Sequence, residues 1–187
     1  MSTQIEPIVT IAELDAMPDD GNRYEIIEGE LFLSKAPGIP HQRVFGEVFD
    51  SFRSYLREQP IGEVIATPGL ILSETDAVIP DLAFVLNERA SEVVTGDRLT
   101  AAPDLVVEIL SPGLDNLRRD RVAKRQMYAR FGVKEYWILD PQKRIVEIYV
   151  LKGRVLELVA SLGKDDELTS PMLPGFSCRI ESIFKHV

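Results

Sequence analysis

The chain has 187 residues, which is enough for one compact domain with a substantial buried core. Its composition, 45% hydrophobic and 27% charged, is typical of a globular protein. No apolar run approaches the roughly 18 residues that cross a bilayer. The net charge of −9 argues against non-specific electrostatic binding of nucleic acid, because such binding depends on clustered lysines and arginines. A single cysteine excludes an internal disulfide, and no signal peptide is recognisable at the N-terminus. We therefore expect one cytoplasmic domain over residues 1–187, without a membrane segment.

One short segment departs from the acidic average. Residues 114–131 carry a run of basic side chains at Arg118, Arg119, Arg121, Lys124, Arg125 and Arg130. Such a run is usually the solvated face of a helix. The alternative is a phosphate-facing patch that does not extend beyond this segment.

In chain order, the first predicted elements are a short helix, a strand pair, a long amphipathic helix and two strands. Thr10 followed by Glu13 forms a capping box that opens the short helix. The long helix is indicated by apolar residues at helical spacing. The predicted ranges are residues 10–14, 24–28, 30–34, 41–57, 61–66 and 69–72.

The second half of the chain alternates strands with one further helix. Two apolar runs, opened by Pro80-Asp81 and by Pro103-Asp104, have the character of core strands. The polar residues 87–102 between them are expected to form a loop. A helix over residues 115–131 and strands at 134–139, 144–151 and 154–160 follow, the last two as a meander of edge strands. This order predicts an α/β or α+β fold, with a mixed central sheet flanked by helices and additional C-terminal antiparallel strands.

Glu108 interrupts the most apolar of these strands. Five of the six residues from Leu105 to Leu110 are aliphatic, so both faces of the strand should be covered. An ionised carboxylate there is costly unless a cation or hydrogen-bond donors meet it. If this strand pairs with the Asp81 strand, Asp81 and Glu108 come close together. A hard divalent cation such as Mg²⁺ would take oxygen ligands from both, with the carbonyl of Ile109 as a third ligand, and its water would attack a phosphodiester.

The helix over residues 115–131 supplies a cation near Glu108. Leu117, Asp120, Lys124, Met127 and Phe131 lie along one stripe with apolar ends, which places Asp120 and Lys124 in a partly buried position. A buried lysine needs an anionic partner, and the short connection from the strand brings Lys124 towards Glu108. The alternative is an i,i+4 Asp–Lys pair on a solvated face.

Taken together, these residues resemble the Uma2 family. The resemblance rests on Pro80-Asp81, on the run from Pro103 to Pro112, on Lys124 with Tyr128-Ala129, and on the run from Gly132 to Pro141. It covers the chain from about residue 24 to residue 159. It implies the restriction-endonuclease-like fold of the PD-(D/E)XK nucleases, a DNA substrate, and Mg²⁺ or Mn²⁺ held by Asp81 and Glu108.

The resemblance also shows one departure from the wider nuclease pattern. In that superfamily a lysine stands two residues after the second acid, where it orients the attacking water. Leu110 occupies this position here, and Lys124 is similar to the relocated lysine of several branches. By the same resemblance, Glu47 is an accessory acid that reaches the metal through water. The alternative for Glu47 is a plain surface glutamate.

Two further residues are accessory candidates. His41 begins the first long helix near the expected cleft, although an exposed imidazole is the commoner outcome for such a residue. Asp104 shares a strand face with Glu108, although a local hydrogen-bonding role is expected for a residue that ends a loop.

Three functional hypotheses follow from these residues. The first is a metal-dependent endonuclease that acts on DNA, with Asp81, Glu108 and Lys124 as its catalytic residues. The second is a non-catalytic binding or assembly module of the same fold, which the acidic charge favours. The third is a purely structural Glu108–Lys124 ion pair. A homodimer is also expected, because a double-strand cut needs two sites and terminal strands offer free edges.

Overall fold

The computed structural model describes residues 8–18, 20–34 and 36–187. Its helices are α1 (Ile11–Asp15), α2 (Ile39–Glu58), α3 (Ala90–Val93), α4 (Leu114–Arg118), α5 (Arg125–Phe131) and α6 (Ile180–Ile183). A π-helical segment, Arg119–Lys124, joins α4 to α5 without interruption. The strands are β1 (Arg23–Ile27), β2 (Glu30–Ser34), β3 (Gly62–Ala66), β4 (Leu70–Ser73), β5 (Asp76–Val78), β6 (Leu82–Leu86), β7 (Val94–Thr95), β8 (Arg98–Leu99), β9 (Leu105–Ile109), β10 (Glu135–Asp140), β11 (Ile145–Lys152), β12 (Val155–Leu162), β13 (Glu167–Leu168) and β14 (Cys178–Arg179).

The central sheet is mixed and has the strand order β12-β11-β10-β9-β6-β3. Only β9 and β10 run parallel, and the other neighbouring strands pair antiparallel. A parallel pair needs a long crossover, and residues 114–131 supply it as a nearly continuous helix between β9 and β10. The crossover returns the chain beside the strand that carries Glu108.

Both faces of the central sheet are covered, as the apolar sequence of β9 requires. Leu105, Val107 and Ile109 pack on the side of α2 and the C-terminal segment. Val106 and Leu110 pack on the opposite side, against the crossover helix and a second sheet. Burial on both faces explains why β9 reads as a continuous apolar run rather than an alternating one.

The second sheet has the order β2-β1-β5-β4-β8-β7 and lies over the crossover side of the core. It brings β1, from the start of the chain, into the same layer as residues that come much later. Its short strands account for most of what the sequence-based prediction missed. The strand β5 was not predicted, and residues 87–102, predicted as loop, contain α3, β7 and β8. Two-residue strands are too short to show a periodicity.

The predicted fold class is confirmed, including the mixed sheet and the C-terminal antiparallel strands. Two details of the prediction are wrong. The helix over residues 115–131 is not a regular α-helix, because it contains the π-helical segment. Of the two strands predicted as edge strands, only β12 is one, since β11 lies between β10 and β12. None of the helices in the described ranges has both the length and the apolar character needed to cross a membrane.

The aromatic centre of the core should dominate stability. Phe52 of α2 is fully buried, and its ring lies 5.5 Å from the rings of both Trp137 and Phe176. We expect Phe52→Ala to lower the free energy of unfolding by about 3–5 kcal/mol, because it removes this contact area and leaves a cavity. Urea denaturation of the two proteins measures the difference. The exposed Leu158→Ala is the control and should change stability by about 0.5 kcal/mol or less. Equal losses in the two variants would contradict the assignment of this core.

Glu135 makes stability depend on pH. Its carboxylate is buried and accepts a hydrogen bond from the Ser170 hydroxyl. Burial raises the pKa of Glu135, and the Ser170 bond only partly offsets this. The folded protein therefore holds a proton on Glu135 at pH values where the unfolded chain has lost it. Stability is consequently lost as pH rises from the ordinary carboxyl pKa through the folded pKa.

We expect Glu135→Gln, which stays neutral, to gain stability relative to the parent protein as pH is raised. Urea unfolding at mildly acidic and mildly alkaline pH measures this gain. The exposed Glu63→Gln is the matched control and should show no such trend. A gain that shrinks with rising pH would disprove the raised pKa of Glu135.

Candidate active site

Asp81 and Glu108 are brought together by the pairing of β6 with β9. These strands run antiparallel with Leu82 opposite Val107, so Asp81 lies just beyond the ladder and next to the Glu108 end of β9. One carboxylate oxygen of Asp81 accepts the backbone N–H of Ile109 at 2.7 Å. The prediction that these two acids are neighbours is therefore confirmed. Ile109 presents its N–H to Asp81, and the role of its carbonyl as a metal ligand stays a prediction.

Glu108 is buried and receives two hydrogen bonds on one oxygen. The Lys124 ammonium and the Tyr128 hydroxyl both donate to Glu108 Oε1, each at 2.9 Å. Burial raises the pKa of Glu108, the Lys124 ammonium opposes the rise, and the neighbouring carboxylates of Asp120 and Asp81 add to it. The ionised form of Glu108 therefore depends on a cation close to it.

Lys124 lies on the inner side of the crossover helix with 1% of its side chain exposed. Its ammonium is 2.8 Å from Glu25, 2.9 Å from Glu108 and 3.9 Å from Asp120. Burial lowers the pKa of Lys124, but these carboxylates outweigh burial and raise it above its ordinary value. The side chain is therefore a protonated cation, and the alternative of a solvated Asp–Lys pair is wrong.

The π-helical segment sets the position of Lys124. A π turn widens the helix and displaces a backbone carbonyl from its regular partner, and such turns are often found at functional sites. Here the carbonyl of Asp120 accepts the Tyr136 hydroxyl at 2.9 Å. Tyr136 is fully buried in β10, as expected for a core aromatic, and so connects the irregular turn to the central sheet.

Glu25 is the site residue that the sequence-based reasoning missed. It lies in β1 with 3% of its surface exposed. Its Oε1 accepts the backbone N–H of Ile79 at 2.8 Å and faces Lys124, while its Oε2 is 3.6 Å from Arg119. A glutamate between the apolar neighbours Tyr24 and Ile26 is the same pattern that marked Glu108. The sequence therefore contained an indication, although nothing in it paired β1 with the crossover helix.

Asp120 and Arg119 complete the charged cluster. Asp120 is buried, and Arg119 Nε donates to its Oδ1 at 2.8 Å. Arg119 also donates to the hydroxyl of Ser34, which ties the crossover helix to β2. Burial raises the pKa of Asp120, and the cations of Lys124 and Arg119 oppose this. The structure thus places Asp120 beside Lys124 as a further anionic neighbour.

His41 is buried, contrary to the expected exposed imidazole. It lies in the first turn of α2 with 7% of its surface exposed, and its Nε2 is 3.1 Å from the Asp81 oxygen that accepts the Ile109 N–H. The other ring nitrogen, His41 Nδ1, has no hydrogen-bond partner among the described residues. His41 is therefore a site residue that holds Asp81, because α2 begins at the mouth of the cleft.

Two other candidates lie away from the cluster. Glu47 of α2 pairs with Lys185 at 2.8 Å, in agreement with the surface alternative rather than with an acid at the metal. Asp104 is buried before the opposite end of β9, where it accepts bonds from Lys134 at 2.7 Å, Arg89 at 3.0 Å and the N–H of Leu86 at 2.9 Å. Asp104 therefore has the local role expected for a residue that ends a loop.

Most of the basic segment is engaged in contacts within the protein rather than on a solvated face or a phosphate-facing patch, and Arg118 is the exposed exception without an ion pair among the described residues. Arg119 and Lys124 are buried in the cluster. Arg121 pairs with Glu147 and with Asp140, the latter at 3.2 Å. Arg130 pairs with Glu28 and Asp76, and Arg125 lies over the ring of Tyr149 at 5.2 Å. These five side chains serve intramolecular contacts, so most of the basic run in the sequence does not form a basic surface.

A small cavity lies at the meeting point of these side chains. Its volume is about 40 Å³, and its walls include Asp81, Glu108, Lys124, His41 and Arg119. This space is of the size that one ordered water or one small ion occupies. It adjoins a groove of about 430 Å³ with which it shares Ser34, Pro37, Ser111 and Arg119. The cluster is therefore connected to a groove large enough for part of a substrate.

Three comparisons place this architecture among known proteins. A model of the Uma2 family, described as "Putative restriction endonuclease", matches residues 11–181. The crystal structure of "a putative nuclease belonging to DUF820" from Anabaena variabilis is similar with a TM-score of 0.78 and 18% identity, over 95% of this chain and 98% of that one. The type IIG restriction endonuclease BpuSI gives a TM-score of 0.41 and 14% identity, over 78% of this chain and 15% of that one, which is too low to indicate a shared fold. No curated protein matches the chain.

The family match and the structural similarity agree with the resemblance found in the sequence. The matched residues span the central sheet, the crossover helix and the second sheet, and so include every residue of the buried cluster. The chain belongs to the Uma2 family and has its restriction-endonuclease-like fold.

Proposed function

We propose that this protein is a metal-dependent endonuclease that hydrolyses phosphodiester bonds of DNA. Asp81 and Glu108 hold Mg²⁺ or Mn²⁺, and Lys124 positions the attacking water. The observation that carries the proposal is the contact of 2.9 Å between the Lys124 ammonium and Glu108, at a cavity bordered by Asp81. Lys124 thus comes from the crossover helix, whereas the wider nuclease pattern has its lysine at the position that Leu110 occupies here.

The charge balance of the cluster favours a divalent cation. Its buried members comprise four carboxylates and two permanent cations, namely Glu25, Asp81, Glu108 and Asp120 against Arg119 and Lys124. An excess of buried negative charge is costly. Without a further cation it is relieved by protonation, in line with the raised pKa of Glu108 and of Asp120, and a bound cation would neutralise it instead. Stability alone is a weak reason for such a cluster, because well-packed apolar residues serve as well or better.

The donors at the cavity suit a hard cation that keeps most of its water. Within residues 8–18, 20–34 and 36–187, no three His, Cys, Asp or Glu side chains converge as a metal-binding group. Three carboxylates, those of Glu25, Asp81 and Glu108, nonetheless border the cavity, and Mg²⁺ commonly takes only one or two carboxylates and retains several waters. When bound, the cation would lower the pKa of a coordinated water and neutralise charge on the phosphate.

The surrounding residues hold these groups in place. The Ile109 N–H and His41 orient Asp81, and Tyr128 fixes the oxygen of Glu108 that faces Lys124. Lys124 remains a cation at the cavity wall, where it stabilises negative charge that develops on the phosphate. Because the Lys124 side chain is buried and paired with two carboxylates, its ammonium is held in position before a substrate binds.

Nicking of plasmid DNA tests the proposed endonuclease. With Mg²⁺ or Mn²⁺ the parent protein should nick the plasmid. Asp81→Ala, Glu108→Ala and Lys124→Ala should each lose about 100-fold or more of this activity, since each removes a charge-stabilising group. Glu47→Ala is the matched control, because its partner Lys185 lies apart from the cavity, and it should retain activity. Equal activity of all five proteins would rule out the assigned site.

A second candidate function is a binding or assembly module with the same fold. The observation that favours it is the internal pairing of the basic segment, which leaves the crossover helix without a basic strip for DNA. For such a module we expect no heat of Mn²⁺ binding at millimolar concentration and no nicking. The endonuclease requires measurable Mn²⁺ binding that Asp81→Ala abolishes, so calorimetry separates the two functions.

A further inference from the structure

The Lys124 ammonium is shared by two carboxylates that belong to different sheets. It lies 2.8 Å from Glu25, in β1 of the second sheet, and 2.9 Å from Glu108, in β9 of the central sheet. Both carboxylates line the same cavity as Asp81. Glu108 neighbours Asp81 through the pairing of β6 with β9, whereas Glu25 is held by the Ile79 N–H and lies near Arg119. The two partners of Lys124 therefore have different surroundings.

Lys124 and Tyr128 both donate to Oε1 of Glu108, so a cation that binds Glu108 through this oxygen competes with Lys124. The Lys124 side chain is 1% exposed, so it has no access to water when its contact with Glu108 weakens. A buried ammonium without an anionic partner is costly. The carboxylates that remain near Lys124 are Glu25 at 2.8 Å and Asp120 at 3.9 Å, so Glu25 is the closer partner.

Glu25 has the properties of that second carboxylate. It is held independently of Lys124, because its Oε1 accepts the N–H of Ile79 at 2.8 Å and its Oε2 lies 3.6 Å from Arg119. These contacts come from backbone and from a neighbouring arginine, and neither involves Glu108. The Glu25 carboxylate therefore keeps its position when Glu108 turns to another partner.

We propose that Glu25 is a positioning residue that retains Lys124 as its counter-ion when a divalent cation takes Glu108. The inference rests on the proposed function, since it presumes a metal at Asp81 and Glu108. Glu25 is not a metal ligand in this arrangement. It lowers the cost of releasing Glu108 from Lys124 and keeps the ammonium at the cavity wall.

The proposal predicts a specific pattern of metal affinities. Loss of the Glu25 charge leaves Glu108 as the nearest carboxylate for Lys124, which strengthens their pairing and weakens metal binding. Loss of the Lys124 charge removes the competing cation and strengthens metal binding. Without Lys124, the charge of Glu25 should have little further effect on the metal.

Calorimetric titration with Mn²⁺, without DNA, tests this pattern on the full chain. We compare the parent with Glu25→Gln, Lys124→Met and the double variant. Glu25→Gln should weaken Mn²⁺ binding about tenfold, and Lys124→Met should strengthen it about tenfold. The double variant should match Lys124→Met. Glu25→Asp keeps the charge and should restore affinity towards the parent value, and circular dichroism verifies that each variant is folded.

The outcomes separate this inference from the proposed function. An unchanged affinity in Glu25→Gln overturns the role of Glu25. The role is also overturned if Glu25→Gln weakens Mn²⁺ binding as much in the Lys124→Met background as in the parent. Glu25 would then act on the metal without Lys124, as a direct ligand does. If Glu25→Gln does not fold, Glu25→Met, which removes the same charge, takes its place in each comparison, and an unchanged Mn²⁺ affinity overturns the proposal in the same way. Absence of Mn²⁺ binding in every protein, including Lys124→Met, removes the metal site itself and the inference with it.

Discussion

The arrangement of this protein depends on one buried cation, the ammonium of Lys124. Three carboxylates from three elements face it: Glu25 from β1, Glu108 from β9 and Asp120 from the π-helical segment. A carboxylate in an apolar core is costly without a cation, and Lys124 is the cation that all three share, with Arg119 as a second partner of Asp120 and Glu25. The contact therefore joins the two sheets to the crossover helix and specifies how these layers are stacked.

The elements around Lys124 are shaped to hold it. In a regular α-helix, residues 120 and 124 lie about one turn apart on the same face. A π turn contains more residues than an α turn, so it changes the direction in which the following side chains point. Tyr136 donates to the carbonyl of Asp120 in the π-helical segment, and Tyr128 donates to the same Glu108 oxygen as Lys124. Both tyrosines are fully buried, so the irregular turn is stabilised by packing as well as by hydrogen bonds. The irregular turn thus occurs in the helix segment that carries the buried Lys124.

The distribution of charge explains how an acidic protein can contain so basic a helix. The arginines of the crossover helix pair with acids on neighbouring strands, as Arg121 does with Asp140 and Arg130 with Asp76. Much of the positive charge of this helix is therefore balanced by acids within the protein. The chain as a whole keeps a net charge of −9. Recognition of a polyanionic substrate would consequently depend on the groove beside Ser34 and Ser111 and on the bound cation, more than on a broad positive surface.

Local sequence patterns were sufficient for the fold class and for part of the site. The apolar run around Glu108, the repeated Pro-Asp opening and the stripe that carries Lys124 each extend over a few residues, and their geometry follows from strand alternation and helical spacing. The positions of Asp81, Glu108 and Lys124 in one cluster were predictable for this reason. Contacts between residues far apart in the chain were not. Glu25 meets Lys124 only because β1 joins a second sheet, and His41 meets Asp81 across 40 residues because α2 begins at the same cleft. The sequence by itself determined which side chains are too polar for their apolar surroundings. The tertiary structure alone decided which partners these side chains find. The reason is that periodicity describes neighbours along one helix or strand and not the packing of one element against another.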